Sequence, residues 1–240
     1  MIWLFVVVPL QKDPVMTTTL LPESPALAAD EDVGWTALDL VERFGPIPLH
    51  RICLDPAPGT ATEDDVLAWE ARSNRLFELY DGVLVEKTMS SFESYLAVRI
   101  AVLLSNFVYP RKLGIVLGAD GMLRLVPGMI RIPDVAFIAM SKLPGKFSVQ
   151  EPIASLVPDL AVEVLSRGNT REEMDHKLDD YFTTGVREVW YVDPRRKLVQ
   201  VYEASASLRQ LTEADTLESR IVLPGFSLSL KELFADPVGA

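Results

Sequence analysis

Two carboxylates each interrupt a run that otherwise reads as a buried strand: Asp134 in Arg131-Ile132-Pro133-Asp134-Val135-Ala136-Phe137-Ile138, and Glu163 in Leu160-Ala161-Val162-Glu163-Val164-Leu165. Residues two apart in a strand share a face, so Asp134 stands beside Ile132, Ala136 and Ile138, and Glu163 beside Ala161 and Leu165. Neither acid continues a polar face. An ionised acid on an apolar face needs a counter-charge, a metal or a raised pKa, and pairs of such acids are how proteins hold a hard divalent cation. A strand end near solvent would explain one of them. Two, followed by a helix that carries basic residues, point to a site.

A chain of 240 residues can form one large domain with a proper core. The single cysteine, Cys53, excludes an intrachain disulfide and points to a non-oxidising, cytoplasmic setting. With only His50 and His176, a multi-histidine zinc site is excluded as well. The 23 Lys and Arg against 34 Asp and Glu leave a net charge of −11, which argues against a broad basic face for nucleic acid. A polyanion would have to be met by a local basic patch and metal ions.

The apolar start, Met1-Ile2-Trp3-Leu4-Phe5-Val6-Val7-Val8-Pro9-Leu10, is too short to span a bilayer and lacks the marks of a signal peptide, so no membrane association is expected. With the loop-like stretch that runs to Asp30-Glu31-Asp32, it makes residues 1–35 a poorly ordered tail ahead of a single domain over 36–235, its core within 60–230. No internal repeat stands out.

Beyond the tail the pattern is α/β. Thr62-Glu63-Asp64-Asp65 caps a short helix, and the runs 76–80 and 83–86 flank Asp81-Gly82 as a hairpin. Ser90 or Ser91 opens a long helix with Leu96, Ile100, Leu103, Leu104 and Phe107 at helical spacing, closed by Pro110. Strands are expected over 114–118, 122–126 and 132–139, with Pro127-Gly128 as the turn before the third. After the Glu163 strand, Thr170-Arg171-Glu172-Glu173 opens a helix carrying Met174, Leu178, Tyr181 and Phe182 and ending at Gly185. Strands over 188–193 and 198–202 flank the turn Pro194-Arg195-Arg196-Lys197, and weaker strands lead to a last helix at Ser229. The sum is a mixed sheet with helices on its faces.

The order of a strand with Pro133-Asp134, a strand with Glu163 and then a helix with Lys177 resembles the PD-(D/E)XK nuclease superfamily, a restriction-endonuclease-like mixed β-sheet flanked by helices. The chain is more closely similar to its Uma-type branch of restriction-endonuclease-like proteins, over roughly residues 60 to 230. Phe77-Glu78-Leu79-Tyr80-Asp81-Gly82, the stretch from Val157 to Ser166 and the stretch from Gly185 to Pro194 carry that resemblance in order. It implies a metal-dependent endonuclease that hydrolyses phosphodiester bonds of nucleic acid, with DNA the expected substrate, Asp134 and Glu163 as ligands of Mg²⁺ or Mn²⁺, and a homodimer if both strands of a duplex are cut.

The chain departs from the superfamily at Leu165, where the motif usually places its lysine. Lys177 on the following helix is the candidate replacement, positioning or deprotonating the attacking water. Glu93, in the first turn of the long helix, matches an acid that many members use as a further metal contact. A first-turn glutamate also suits the helix dipole. Arg167 and Arg171, with Lys142 and Lys146, are candidate phosphate contacts near the strand ends. Arg195, Arg196 and Lys197 read as a hairpin turn, Asp120 as a turn residue, His176 as a surface residue, and Glu78 and Glu86 receive no role. Two other functions fit the same residues: an inactive nuclease-fold binding or regulatory module, and a hydrolase of small phosphoesters, which an acidic protein would suit better than duplex DNA.

Overall fold

Among the described residues, four of the five α-helices begin with a capping box, in which side chains take up orphan backbone N–H groups. The computed structural model describes residues 35–144 and 151–236, so the expectations for the tail and for Lys146 lie outside the described residues. Thr36 caps α1 (Ala37–Phe44), Thr62 α2 (Glu63–Ser73), Ser90 α3 (Ser91–Val108) and Thr170 α4 (Arg171–Thr184), each with an acid three places on closing a capping box. Gly185, at φ 102°, ends α4 in the left-handed conformation that glycine adopts without strain.

The strands, in chain order, are β1 (Phe77–Tyr80), β2 (Val83–Glu86), β3 (Gly114–Leu117), β4 (Leu123–Val126), β5 (Met129–Arg131), β6 (Val135–Ala139), β7 (Leu160–Val164), β8 (Glu188–Asp193), β9 (Leu198–Ala204), β10 (Ser207–Thr212), β11 (Thr216–Ser219) and β12 (Phe226–Ser229), followed by α5 (Leu230–Leu233). Asp81 and Gly82 both take positive φ, as a two-residue hairpin turn requires, and set Phe77 opposite Glu86.

The expected strand over 132–139 is confined to β6, and a strand that was not expected, β5, precedes it. Pro127-Gly128 turns β4 tightly back into β5, and then Pro133, which has no N–H to give a ladder, separates β5 from β6. The break sends the two strands into different sheets. β5 joins a four-stranded sheet of order β2-β1-β5-β4, and β6 joins a six-stranded sheet of order β10-β9-β8-β7-β6-β3. Only β7 and β8 pair parallel in the large sheet, and α4 makes the crossover between them.

One face of the large sheet packs Val135, Val162, Trp190 and Val192 against Leu96, Ile100 and Leu104 of α3. The other packs Ala136, Ile138, Ala161 and Val189 against Met174, Leu178 and Tyr181 of α4. The small sheet has its own apolar layers, with Phe77, Leu79 and Ile130 packing with Val66 of α2, and Tyr80, Val83 and Val85 with Leu40 and Phe44 of α1.

Candidate active site

β6 and β7 run antiparallel with Val135 opposite Val162, so one step further the register sets Asp134 opposite Glu163. Glu163 shares the α4 side of the sheet with Ala161, as strand alternation dictates. The Val164 amide donates to Asp134 Oδ2 at 2.6 Å, which fixes the carboxylate that follows Pro133 against the strand bearing Glu163. Both acids are buried, at 5% and 6% exposure.

Each has a cation. Lys87, one residue past β2, places Nζ 2.7 Å from Asp134 Oδ1 and also donates to the Ile132 carbonyl. Lys177 places Nζ 2.9 Å from Glu163 Oε1, and Tyr181 donates its hydroxyl to the same oxygen at 2.5 Å. Lys177 has a second partner, Glu78 Oε1, also at 2.9 Å. Glu78 accepts in turn from the Ile132 amide at 2.9 Å and from Arg131 at 3.0 Å, and Arg131 pairs with Asp180.

This network lies where the two sheets meet α4. The small sheet supplies Glu78, Lys87 and Arg131; the large sheet supplies Asp134 and Glu163; α4 supplies Lys177, Asp180 and Tyr181. Lys177 is no solvated helix lysine: its side chain is 9% exposed, on a stripe with Glu173 and Asp180 at positions i, i+4 and i+7. Glu173 takes a bidentate pair from Arg51, whose guanidinium also donates to the carbonyls of Glu86 and Gly168 and so ties the loop after β7 to the small sheet.

Burial raises the Glu163 pKa, the nearby Asp134 carboxylate adds to the rise, and Lys177 and Lys87 oppose it without cancelling it. At Glu78 burial pushes the same way, but Lys177 and Arg131 outweigh it and hold the carboxyl at about 2. The Lys177 ammonium, desolvated but facing both carboxylates, has its pKa raised, so it is charged at neutral pH. It is held between Glu78 and Glu163.

Glu93 is placed differently. Its Oε2 accepts from the Ser90 amide at 2.8 Å and closes the capping box of α3. Among the described residues no three His, Cys, Asp or Glu side chains form a group that could hold a metal ion, so Glu93 completes no three-acid set with Asp134 and Glu163. It lines a cleft of about 640 Å³ together with Thr88, Ser90, Arg167 and Arg195. Neither Asp134 nor Glu163 lines that cleft, although Thr88 directly follows Lys87. Arg167 is exposed on the cleft wall, and Arg171 projects into solvent beside Asp175 at 3.4 Å. Lys142 is turned to Asp159 at 3.2 Å.

Sequence reasoning missed Glu78, Lys87 and Arg131. Glu78 carried the same signal as Glu163, an acid in the apolar run Leu76-Phe77-Glu78-Leu79-Tyr80, and Arg131 sits likewise between Ile130 and Ile132. Lys87 carried no such signal.

The chemistry of the donor set fits a hard divalent cation: two carboxylates on adjacent strands, close enough that one raises the pKa of the other.

Residues 63–231 match the family described as "Uma2: Putative restriction endonuclease", and the chain belongs to that family. The fold is similar to that of a crystal structure from Anabaena variabilis ATCC 29413 titled as a "putative nuclease belonging to DUF820", with a TM-score of 0.61 and 18% identity over 68% of this chain and 91% of that one. No curated protein matches the chain. The protein has a nuclease-family fold, with a buried pair of carboxylates at the start of one central strand and near the end of its neighbour.

Proposed function

We propose that this protein is a divalent-metal-dependent endonuclease acting on DNA, with Asp134 and Glu163 holding Mg²⁺ or Mn²⁺. The observation that carries the reading is the register of β6 and β7, which sets these two carboxylates side by side at the start of β6 and the end of β7. Asp134 and Glu163 would hold the cation, which when bound would supply an acidified water and neutralise charge on the phosphate. Lys177 orients Glu163 through its ammonium, and Tyr181 holds the same oxygen from the next turn of α4. Glu78 keeps Lys177 charged and in place. Arg167, on the cleft wall, is suited to a phosphate oxygen of the bound strand. With one site per chain, cutting both strands of a duplex calls for two copies, and a reduced, cytoplasmic setting suits a chain with one cysteine.

A second reading, a binding module that does not cleave, draws on one observation: Asp134 and Glu163 each already have a lysine counter-ion. Incubating supercoiled plasmid with the protein in Mg²⁺, Mn²⁺ or EDTA separates the two. The endonuclease reading expects nicked and linear products with either metal and none in EDTA. Retarded but intact plasmid under all three conditions supports the binding module.

A further inference from the structure

Lys87 is the one cation of the cluster that touches only one of its carboxylates. Lys177 bridges Glu78 and Glu163, and Arg131 bridges Glu78 and Asp180, so removing either would strand two acids. Among the described residues Lys87 pairs with Asp134 alone, 2.7 Å from Oδ1, and its other side-chain partner is a neutral carbonyl, that of Ile132. Asp134 Oδ2 is already committed to the Val164 amide, so Lys87 occupies the second of the two oxygens. The lysine also has the most exposed side chain of the cluster, at 11%, and the three residues after it, Thr88, Met89 and Ser90, line the cleft. Its backbone extends the hairpin ladder through a 2.9 Å bond to the Leu76 carbonyl, so the ammonium can leave while the main chain stays.

Charge counting gives the move a direction. Glu78, Asp134, Glu163 and Asp180 are four acids, and Lys87, Arg131 and Lys177 are three bases, so the ionised cluster carries 3 − 4 = −1. A divalent cation added beside Lys87 would make it +1. With Lys87 displaced the cluster stands at −2, and the same cation neutralises it. Burial makes any uncompensated charge costly, so exchange is favoured over addition.

We infer that Lys87 is a built-in competitor for the metal position: its ammonium is the counter-ion of Asp134 when no metal is bound, and a divalent cation of the Mg²⁺ or Mn²⁺ kind must displace it. The inference rests on the proposed role of Asp134 and Glu163. It makes Lys87 a positioning residue that sets metal affinity and keeps the unloaded site folded, not a residue that meets the reacting atoms. A site that is competent only while Lys87 is withdrawn binds more weakly by the fraction of time it is withdrawn.

Mn²⁺ binding, followed by the electron paramagnetic resonance of the free ion, tests this on the full chain without substrate. The series is wild type, Lys87→Met, Lys87→Gln and Asp134→Asn. Lys87→Gln retains a donor for the Ile132 carbonyl and so guards against a variant that fails to fold. Removal of the ammonium should tighten Mn²⁺ binding by about tenfold or more, and the metal-free variants should melt at lower temperature than wild type and recover on adding Mn²⁺. Equal or weaker binding in both Lys87 variants, with Asp134→Asn losing the ion, would overturn the competitor role while leaving the metal site standing. If wild type and both Lys87 variants bind no Mn²⁺, the competitor role and the metal site fall together.

Discussion

The Val164 amide donates to Asp134 Oδ2 at 2.6 Å, so the acid that follows the Pro133 break is held against the residue next to Glu163. That bond, between residues 30 apart in the chain, brings the two acid-bearing strand segments into one site. It also explains why Asp134 lies just outside β6: an aspartate within the regular ladder would stand over the sheet face, whereas one at the break can turn its side chain to a neighbouring strand's N–H.

Lys177 is expected to be the residue whose loss the fold tolerates least. Lys177→Met leaves Glu78 and Glu163 buried without their shared cation, and breaking a buried pair in this way costs about 3–5 kcal/mol. Urea denaturation reads that loss. Adding Glu78→Gln to Lys177→Met should restore part of it, because one stranded charge is removed.

Glu78 and Glu163 share an ammonium but carry opposite pH signatures. A carboxyl held down to about 2, as Glu78 is, stabilises the fold above its unfolded value, and that contribution is lost as pH falls through the native one. A carboxyl whose native pKa is raised, as at Glu163, favours the fold at low pH and withdraws that support as pH rises through its native value. Glu78→Gln should therefore flatten the acid limb of the stability curve between pH 4.5 and about 2. Glu163→Gln should gain stability relative to wild type as pH rises. Denaturation at stepped pH checks both, and parallel curves for the two variants would contradict the assignment.

Much of this site was legible in the sequence, and the part that was not has a physical reason. Asp134 and Glu163 stood out because strand alternation is strict; Glu163 keeps the face it shares with Ala161, whereas Asp134, just outside β6, turns to the Val164 amide and its expected neighbour Ile132 packs in the small sheet's layer. Leu96, Ile100 and Leu104 marked the buried face of α3 by the same kind of argument. β5 was hidden because it is only three residues long and Ile130, Ile132, Asp134 and Ala136 run on across Pro133 in one period-two series, so nothing marks where one strand stops and the next begins. On α4 the sequence singled out Lys177 but not its charged neighbours. The stripe of Glu173, Lys177 and Asp180 has the spacing of a solvated face, and only the second sheet, with Arg51 more than a hundred residues away, buries it. Capping boxes are local, so the starts of α2, α3 and α4 could be read directly; a charge network between two sheets is not local.

Glu93 should behave as a cap. Glu93→Ala removes the acceptor for the Ser90 amide and is expected to cost about 1 kcal/mol in thermal or urea unfolding, with plasmid cleavage little changed. A large fall in cleavage at unchanged stability would return Glu93 to the site.

Phosphate contact predicts a salt signature. If Arg167 meets a phosphate, Arg167→Ala should weaken DNA binding across unrelated sequences and lower the slope of log affinity against log salt by about 1. Arg171, exposed and paired with Asp175, should contribute less. Fluorescence anisotropy of a labelled duplex over a salt series measures both, and a slope near zero in wild type would favour a small phosphoester as the substrate.

The central claim, that Asp134 and Glu163 together carry metal-dependent cleavage, is tested most directly by single-turnover cleavage of an end-labelled duplex in Mn²⁺. Wild type is compared with Asp134→Asn and Glu163→Gln, both near-isosteric and each checked for a native melting transition. Each substitution should lower the rate roughly 100-fold or more while the fold persists. Cleavage at the wild-type rate by either variant would contradict the claim.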